Sequence, residues 1–282
     1  MPLKRALYMS KFKFQGKDIF YQLDGDDQKP NMLVLNGIMM STKSWEPFMK
    51  NWLAYFQVLR VDFLDQGQSD KMTENYEQDL QVDLLQALLN HLDIESIHVV
   101  GISYGGEVAL SFACKYPERV NRLMLFNSSA YTNPLLKDIG RAWIEAGKTR
   151  NGSLYYKTTI PIIYSATYYE EKIDWMKERE KILTPIFSDP DFLDAMERLT
   201  LSAESYDVRD CLDDLDIETM IITAEEDFLT PRKEQEYLAK RLKHVHWISI
   251  PGVGHASMYE NPMIFTSLLT GFFLVQNAQF KI

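Results

Sequence analysis

Cysteine, long apolar runs and an excess of positive charge are all missing or scarce in this chain of 282 residues. The two cysteines, Cys114 and Cys211, allow one disulfide but no disulfide-stapled framework, and a reducing compartment suits them. No stretch reaches the roughly 18 apolar residues that span a bilayer, and the apolar run near the start is too short for a signal peptide. We therefore expect a cytoplasmic protein with no membrane partner.

Acidic residues outnumber basic ones by 40 to 30, which gives a formal net charge of −10. Because an acidic protein repels a phosphate backbone, we expect no nucleic-acid partner. The histidines and cysteines lack the spacing of a metal site, and no glycine-rich loop carries the lysine of a phosphate-binding loop. The sequence therefore predicts no metal ion and no cofactor.

Strand and helix patterns alternate from residue 32 onward, after a predicted pair of strands within residues 11–23. This alternation is typical of crossover connections and predicts an α/β fold with a mostly parallel sheet. The later strands are predicted at 32–36, 56–61, 97–101, 121–126, 219–223 and 246–250, and the helices between and after them at 42–54, 77–91, 104–116, 232–242 and 261–275.

About 90 residues separate the strand that ends near residue 126 from the strand that starts near 219, which is too long for a single crossover. We interpret residues 131–206 as a helical insertion above the sheet, and residues 1–130 and 207–282 as the core. The insertion is predicted to contain helices near 135–147, 168–184 and 190–203, with breaks at Pro161, Pro185 and Pro190.

Aromatic residues are concentrated in this insertion, whose 76 residues hold seven of the 15 tyrosines. A tyrosine ring offers a flat apolar face and a hydroxyl that needs a partner when it is buried. We therefore expect some of these rings, Tyr164 and Tyr168 in particular, to face the site and contact substrate. The alternative is that they only pack the helices of the insertion against one another.

A G-x-S-x-G pattern occupies residues 101–105, directly after a predicted strand and at the start of a predicted helix. That context is the one in which a serine sits on a sharp strand-to-helix turn with its hydroxyl exposed. The following helix would direct its N–H groups towards negative charge that develops near Ser103. We therefore predict that Ser103 is a nucleophile, against the alternative that it only caps the helix.

A serine hydroxyl needs a base that is held in place by a third group. Among the five histidines, His255 lies in a glycine-flanked loop just after a predicted strand, where catalytic groups of open α/β sheets gather. The strand at 219–223 is followed by three carboxylates, of which Asp227 lies deepest in the turn. The sequence thus predicts a triad of Ser103, Asp227 and His255, in an order along the chain that fits this chemistry.

The chain resembles the α/β-hydrolase family over roughly residues 11–275. The resemblance rests on the nucleophile turn VVGISYGG, on Asp227-Phe228-Leu229-Thr230-Pro231, on Pro251-Gly252-Val253-Gly254-His255, and on the turn from Asp62 to Ser69. It implies an eight-stranded, mostly parallel sheet flanked by helices, with a helical lid inserted between strands six and seven.

The resemblance also implies an oxyanion hole made by the backbone N–H groups of Ile38 and Tyr104. Asn36-Gly37 stands where the family usually has His-Gly, and Asp65 stands where it usually has glycine. Apolar side chains next to the motifs are candidates for lining the substrate pocket, with core packing as the alternative. They are Met39, Phe228, Leu229 and Met258.

These residues predict a serine hydrolase, of carboxylesterase type, that cleaves a small ester, lactone or thioester with an apolar or aromatic acyl group. Two alternatives remain open. The same triad performs carbon–carbon bond hydrolysis, acyl transfer or elimination in proteins of similar outline, and some members of the resembled family are ligand sensors with vestigial activity. Fold does not determine substrate, so the sequence does not separate these possibilities.

Overall fold

The computed structural model describes residues 7–275, in which eight strands form one sheet of order β1-β2-β4-β3-β5-β6-β7-β8. The pairs β1–β2 and β2–β4 are antiparallel, and the other neighbours are parallel. The predicted eight-stranded, mostly parallel sheet is therefore confirmed. The strands are β1 (Leu7–Phe14), β2 (Lys17–Asp24), β3 (Asn31–Leu35), β4 (Gln57–Val61), β5 (Ile97–Ile102), β6 (Val120–Phe126), β7 (Thr219–Ala224) and β8 (Val245–Ile250).

Helices connect the strands and cover the sheet on both faces. In the described part of the chain they are α1 (Glu46–Trp52), α2 (Asp79–His91), α3 (Tyr104–Lys115), α4 (Pro134–Lys148), α5 (Gly152–Thr159), α6 (Ala166–Glu171), α7 (Ile173–Ile186), α8 (Pro190–Ser202), α9 (Arg232–Arg241), α10 (Ser257–Glu260) and α11 (Pro262–Leu274). None of these helices is long and apolar enough to cross a membrane.

The core lies on both faces of the sheet because the central strands are apolar on both faces over most of their length. Successive side chains of a strand point to opposite faces. In β3, Leu33 and Leu35 therefore join the cluster that contains α2 and α3, whereas Met32 and Val34 join the cluster that contains α1 and α11. A sheet that is buried on both sides leaves only its edges and strand ends for chemistry.

Five helices, α4 to α8, lie between β6 and β7 in the described residues, where the sequence predicted a helical insertion. Their boundaries differ from the predicted ones in two places. Helix α5 was not predicted, because it carries few apolar residues; it is capped by Asn151, whose side chain accepts from the Leu154 N–H. The run predicted at 168–184 is two helices, α6 and α7, which part at Lys172.

The predicted break at Pro185 is wrong, since α7 continues through this residue to Ile186. A proline inside a helix removes one hydrogen bond and crowds the preceding turn. Here Pro185 lies in the last turn, and the helix ends one residue later with the Phe187 N–H bonded to the Leu183 carbonyl at 2.8 Å. The loss of one bond so near the end does not stop the helix.

Cys114 and Cys211 form a disulfide, with their Cα atoms 6.0 Å apart. Cys114 lies near the end of α3, and Cys211 lies just before β7. The bond thus joins the helix that follows Ser103 to the segment that leaves the insertion. Disulfides are uncommon in reducing compartments, so this pairing does not favour the cytoplasmic location expected from the low cysteine content.

Candidate active site

The carboxyl ends of four strands bring the predicted site residues to one edge of the sheet. Ile38 follows β3, Ser103 follows β5, Asp227 follows β7 and His255 follows β8. Because these strands are parallel neighbours or near neighbours in the sheet, the residues that follow them meet above the same edge.

Ser103 sits on a sharp turn between β5 and α3, with φ 53° and ψ −124°. This conformation is rare for a residue with a side chain, and it is held by the bond from the Ser103 N–H to the Phe126 carbonyl at 3.0 Å. A Cβ atom at Gly105 would lie 2.6 Å from the Leu35 carbonyl oxygen, so only glycine lets the turn pack against β3. The turn projects the serine beyond the strand end.

His255 and Asp227 are in direct contact, with Nδ1 of the ring 2.7 Å from Oδ2 of the carboxylate. Asp227 also accepts bonds from the N–H groups of Leu229 and Thr230 and from the Thr230 hydroxyl, at 2.8 to 3.0 Å. The two neighbouring carboxylates, Glu225 and Glu226, are exposed. The loop thus aims one carboxylate, buried and fully hydrogen-bonded, at the histidine.

A buried amide network holds the loop that contains Ile38. The Asn36 amide donates to the Val61 carbonyl at 2.8 Å and to Gln66 Oε1 at 3.0 Å, and it accepts from the Trp45 indole at 2.7 Å. The Gln66 amide in turn donates to the carbonyl of Gly37 at 3.0 Å. Asn36 therefore fixes this loop from within the core, in the position where the resembled family usually has histidine.

The backbone N–H groups of Ile38 and Tyr104 have no hydrogen-bond acceptor within residues 7–275. Tyr104 is the first residue of α3, whose N-terminal N–H groups carry partial positive charge. Both residues line the same cavity as Ser103. The arrangement supplies two free donors of the kind that stabilise an oxyanion.

The histidine loop is bonded to the insertion rather than to the sheet alone. The Ala256 N–H donates to the Ile163 carbonyl at 2.9 Å. The Glu260 carboxylate accepts from the Gly254 N–H at 3.1 Å and from the Ser165 hydroxyl at 2.6 Å. Movement of residues 163–165 would therefore be transmitted to His255.

A cavity of about 390 Å³ lies between the strand ends and the insertion, and both Ser103 and His255 line it. Of the apolar residues predicted to contact substrate, four line this cavity: Met39, Tyr164, Leu229 and Met258. The structure does not bring Phe228 and Tyr168 to it. Phe228 points to solvent with 56% of its surface exposed, and Tyr168 stacks behind Tyr164 with ring centroids 5.7 Å apart.

Sequence reasoning missed a buried carboxylate in this cavity, that of Glu107. It accepts from Gln78 Nε2 at 3.1 Å and from the Ser129 hydroxyl at 3.4 Å. Burial raises the pKa of Glu107 to about 7, against the lowering effect of these two bonds and of nearby His255. The sequence did contain a signal for this residue, because Glu107 lies one helical turn after Ser103 on the helix that follows the turn at Ser103.

Comparison with known proteins agrees with this fold. The family model for the alpha/beta hydrolase fold matches residues 30–151. The crystal structure of MGS-M2, an alpha/beta hydrolase enzyme from a Medee basin deep-sea metagenome library, is 49% identical; the match covers 97% of this chain and 100% of that one, with a TM-score of 0.94. The chain therefore belongs to the α/β-hydrolase family.

Curated relatives include hydrolases of different bonds. The chain is 24% identical over 265 residues to 3-oxoadipate enol-lactonase 1 of Acinetobacter baylyi, which covers 92% of this chain and 94% of that protein. It is 33% identical over 101 residues to 2-hydroxymuconate semialdehyde hydrolase of Pseudomonas sp. strain CF600, with 36% of each chain covered. Together these relatives support hydrolase activity without selecting one substrate class.

Proposed function

We propose that this protein is a serine hydrolase that cleaves a small carboxylic ester or lactone through an acyl-enzyme. The observation that carries the proposal is the contact of 2.7 Å between the buried Asp227 and His255, which lines the same cavity as Ser103 on its strained turn. Relatives that act on lactones support the choice of an acyl substrate, the full-length enol-lactonase match above all.

In the proposed reaction Ser103 Oγ attacks the substrate carbonyl while His255 takes its proton. Asp227 keeps the proton of the ring on Nδ1, which leaves Nε2 free to act as the base, and stabilises the imidazolium that forms. The N–H groups of Ile38 and Tyr104 receive the oxyanion. His255 then protonates the leaving group and activates the water that releases the acid.

The Ser103 hydroxyl makes no hydrogen bond to His255 among the described residues. Such bonds are often long in the absence of substrate and tighten when it binds. Residues 131–206 form the proposed lid, which would exclude water and close on substrate. Its contribution to the cavity wall, including Trp143, Ile160 and Tyr164, supports that role and suits an apolar part of the acyl group.

A second candidate is hydrolysis of a carbon–carbon bond next to a carbonyl. It is favoured by the match to 2-hydroxymuconate semialdehyde hydrolase, which at 33% identity is a closer match per residue than the lactonase. Comparing kcat/KM for that semialdehyde with kcat/KM for an activated ester or lactone separates the two. If kcat/KM is higher for the semialdehyde than for the ester or lactone, carbon–carbon bond hydrolysis is the main activity and ester cleavage is not.

The test of the proposed function is covalent labelling of the serine. A fluorophosphonate should add one adduct mass to the peptide that carries Ser103, and hydrolysis of p-nitrophenyl butyrate should stop with labelling. Ser103→Ala should abolish both. Ser128→Ala is the matched control, since Ser128 is a buried serine at the neighbouring strand end whose hydroxyl bonds the Ser103 carbonyl. Labelling that persists in Ser103→Ala would overturn the proposal.

A further inference from the structure

The charges that line the cavity differ from the charge of the whole molecule, which is −10. Three cations, Lys43, Lys137 and Arg179, line it together with two carboxylates, Glu107 and Glu204. Glu204 is paired with Arg141 at 3.4 Å outside the cavity wall, and Glu107 is buried against Gln78 and Ser129. Within residues 7–275, none of the three cations lies within 4.0 Å of a carboxylate oxygen.

Arg179 is the most constrained of these cations. It lies on α7, and its guanidinium carbon is 5.2 Å from the ring centroid of Trp175 and 5.3 Å from that of Tyr259. Its Nε atom is buried and has no hydrogen-bond partner in the part of the chain that the structure describes. The two rings hold the guanidinium in place, while the Nε–H group lacks the acceptor that a buried donor normally has.

The guanidinium of Arg179 is a planar, positively charged fork of N–H donors, and the ligand group that matches it best is a carboxylate. Guanidinium binds a carboxylate through two parallel hydrogen bonds, which fix orientation as well as supply affinity. Tyr259, one of the two rings that hold Arg179, lies four residues after His255, so the fork belongs to the wall that the histidine loop forms. A ligand carboxylate on Arg179 would share the cavity with the carbonyl at Ser103.

We propose that Arg179 binds a carboxylate that the substrate carries apart from its scissile bond. The substrate would then be an ester or lactone whose acyl part is apolar in the middle and acidic at the far end. Lys43 and Lys137 add positive potential to the same cavity and would attract such an anion without pairing with it directly. This inference rests on the proposed function, whose site it shares, but it is tested by a different comparison.

The experiment compares two esters of matched length, the mono-p-nitrophenyl ester of glutaric acid and p-nitrophenyl pentanoate. Wild-type enzyme should have the higher kcat/KM for the acidic ester. Arg179→Gln should lower kcat/KM for the acidic ester by about 10- to 100-fold, the usual effect of a hydrogen bond to a charged group, and should affect the neutral ester much less. Arg179→Lys keeps the charge but loses the fork, so it should recover only part of the loss.

Lys177→Gln is the matched control. Lys177 lies on the same helix, is exposed and faces Asp174 rather than the cavity, so its removal changes the net charge by the same amount. It should leave both rates within about twofold, because an exposed charge is screened by solvent and salt. An equal loss in Lys177→Gln would mean that overall charge, not the fork, decides the preference.

Three outcomes overturn the inference: no preference of the wild type for the acidic ester, an equal loss on both esters in Arg179→Gln, or a lower melting temperature with the preference intact. The last two would mean that Arg179 only packs the insertion. Calorimetry with glutarate and Ser103→Ala keeps the two proposals apart. Binding of glutarate that is lost with Arg179→Gln, without turnover of either ester by the wild type, would support the carboxylate site while contradicting the proposed function.

Discussion

At the scale of single residues, the acidic partner of His255 had to be chosen among three carboxylates in the sequence, and the geometry supports the choice of Asp227. Asp227 is 5% exposed and accepts four hydrogen bonds, one of them from the ring. A carboxylate so placed fixes the tautomer of the histidine because its other acceptor positions are already occupied.

Under the proposed mechanism we expect Asp227→Asn to lower kcat by about 10⁴-fold, the loss typical of a triad aspartate. The amide keeps one oxygen for the Leu229 and Thr230 N–H groups but presents an N–H to the ring, so the ring holds its proton on the wrong nitrogen. Glu226→Gln, one position away and exposed, is the control and should change kcat by less than about twofold. Steady-state hydrolysis of an activated ester measures kcat for both variants. Similar losses of kcat would mean that Asp227 is the wrong choice of acid.

Glu107 gives a prediction on pH and stability. Its pKa is raised by burial to about 7 from a usual value of 4.5, so the folded protein holds this proton more tightly than the unfolded chain. The stabilisation is complete below pH 4.5 and is lost as the pH rises through about 7. Glu107→Gln removes this titration, so its stability relative to the wild type should rise by about 3 kcal/mol between pH 4.5 and 7.5.

Urea unfolding of both proteins at several pH values measures this difference. Glu118→Gln changes an exposed glutamate three residues after the end of the same helix and should show no such trend. If the stability difference between Glu107→Gln and the wild type were constant with pH, the carboxyl of Glu107 would not be the group that titrates.

At the scale of elements, one ion pair joins the insertion to the core. Arg198 on α8 contacts Asp65 through Nη2 at 2.6 Å and Nε at 3.1 Å, and the Asp65 side chain is fully buried. Asp65 has φ 69°, a conformation that favours the glycine usual at this position of the family. The strain of a non-glycine residue there is offset by a bidentate contact to a helix that lies 133 residues further along the chain.

Arg198→Met should therefore lower the free energy of unfolding by about 3 to 5 kcal/mol, because it leaves the Asp65 carboxylate buried without a cation. The double variant Asp65→Gly with Arg198→Met should recover much of this loss, since no buried charge remains and glycine accepts the backbone conformation. Urea unfolding of the single and double variants gives the free energy by which Asp65 and Arg198 stabilise each other. A double variant no more stable than Arg198→Met alone would mean that the pair is not the main contact.

At the scale of the whole molecule, the disulfide closes a loop that contains the entire insertion, since Cys114 and Cys211 have a sequence separation of 97. Cross-links of long loops stabilise a fold by about 2 to 4 kcal/mol, which for a chain of this size corresponds to roughly 3 to 7 °C in melting temperature. We expect reductant to lower the melting temperature by this amount, and Cys114→Ala with Cys211→Ala to match the reduced protein.

Thiol titration of the denatured protein, prepared without reductant, should find no free thiol. Reductant should have no effect on the melting temperature of the double alanine variant, which serves as its control. Two free thiols in protein isolated without reductant would contradict the bond and would suit the expected cytoplasmic location.

The sequence by itself determined the sheet, the order of its elements and the identity of the strand-end motifs. Alternating strand and helix patterns depend on local periodicity, which the backbone geometry of each element imposes within a few residues. The turn at Ser103 and the loops at Asp227 and His255 were predictable for the same reason, because each motif carries its strand, its turn and its helix start within one short segment.

Only the tertiary structure decided what surrounds those motifs. Three contacts join residues that are distant in sequence: the hydrogen bond of Asn36 with Gln66, the ion pair of Arg198 with Asp65, and the stacking of Arg179 on Tyr259. Phe228 and Tyr168 were placed in the site because they neighbour motif residues, but neighbours in a turn or helix point in different directions. Side-chain direction and long-range pairing depend on how the elements pack, and no local pattern in the sequence encodes that packing.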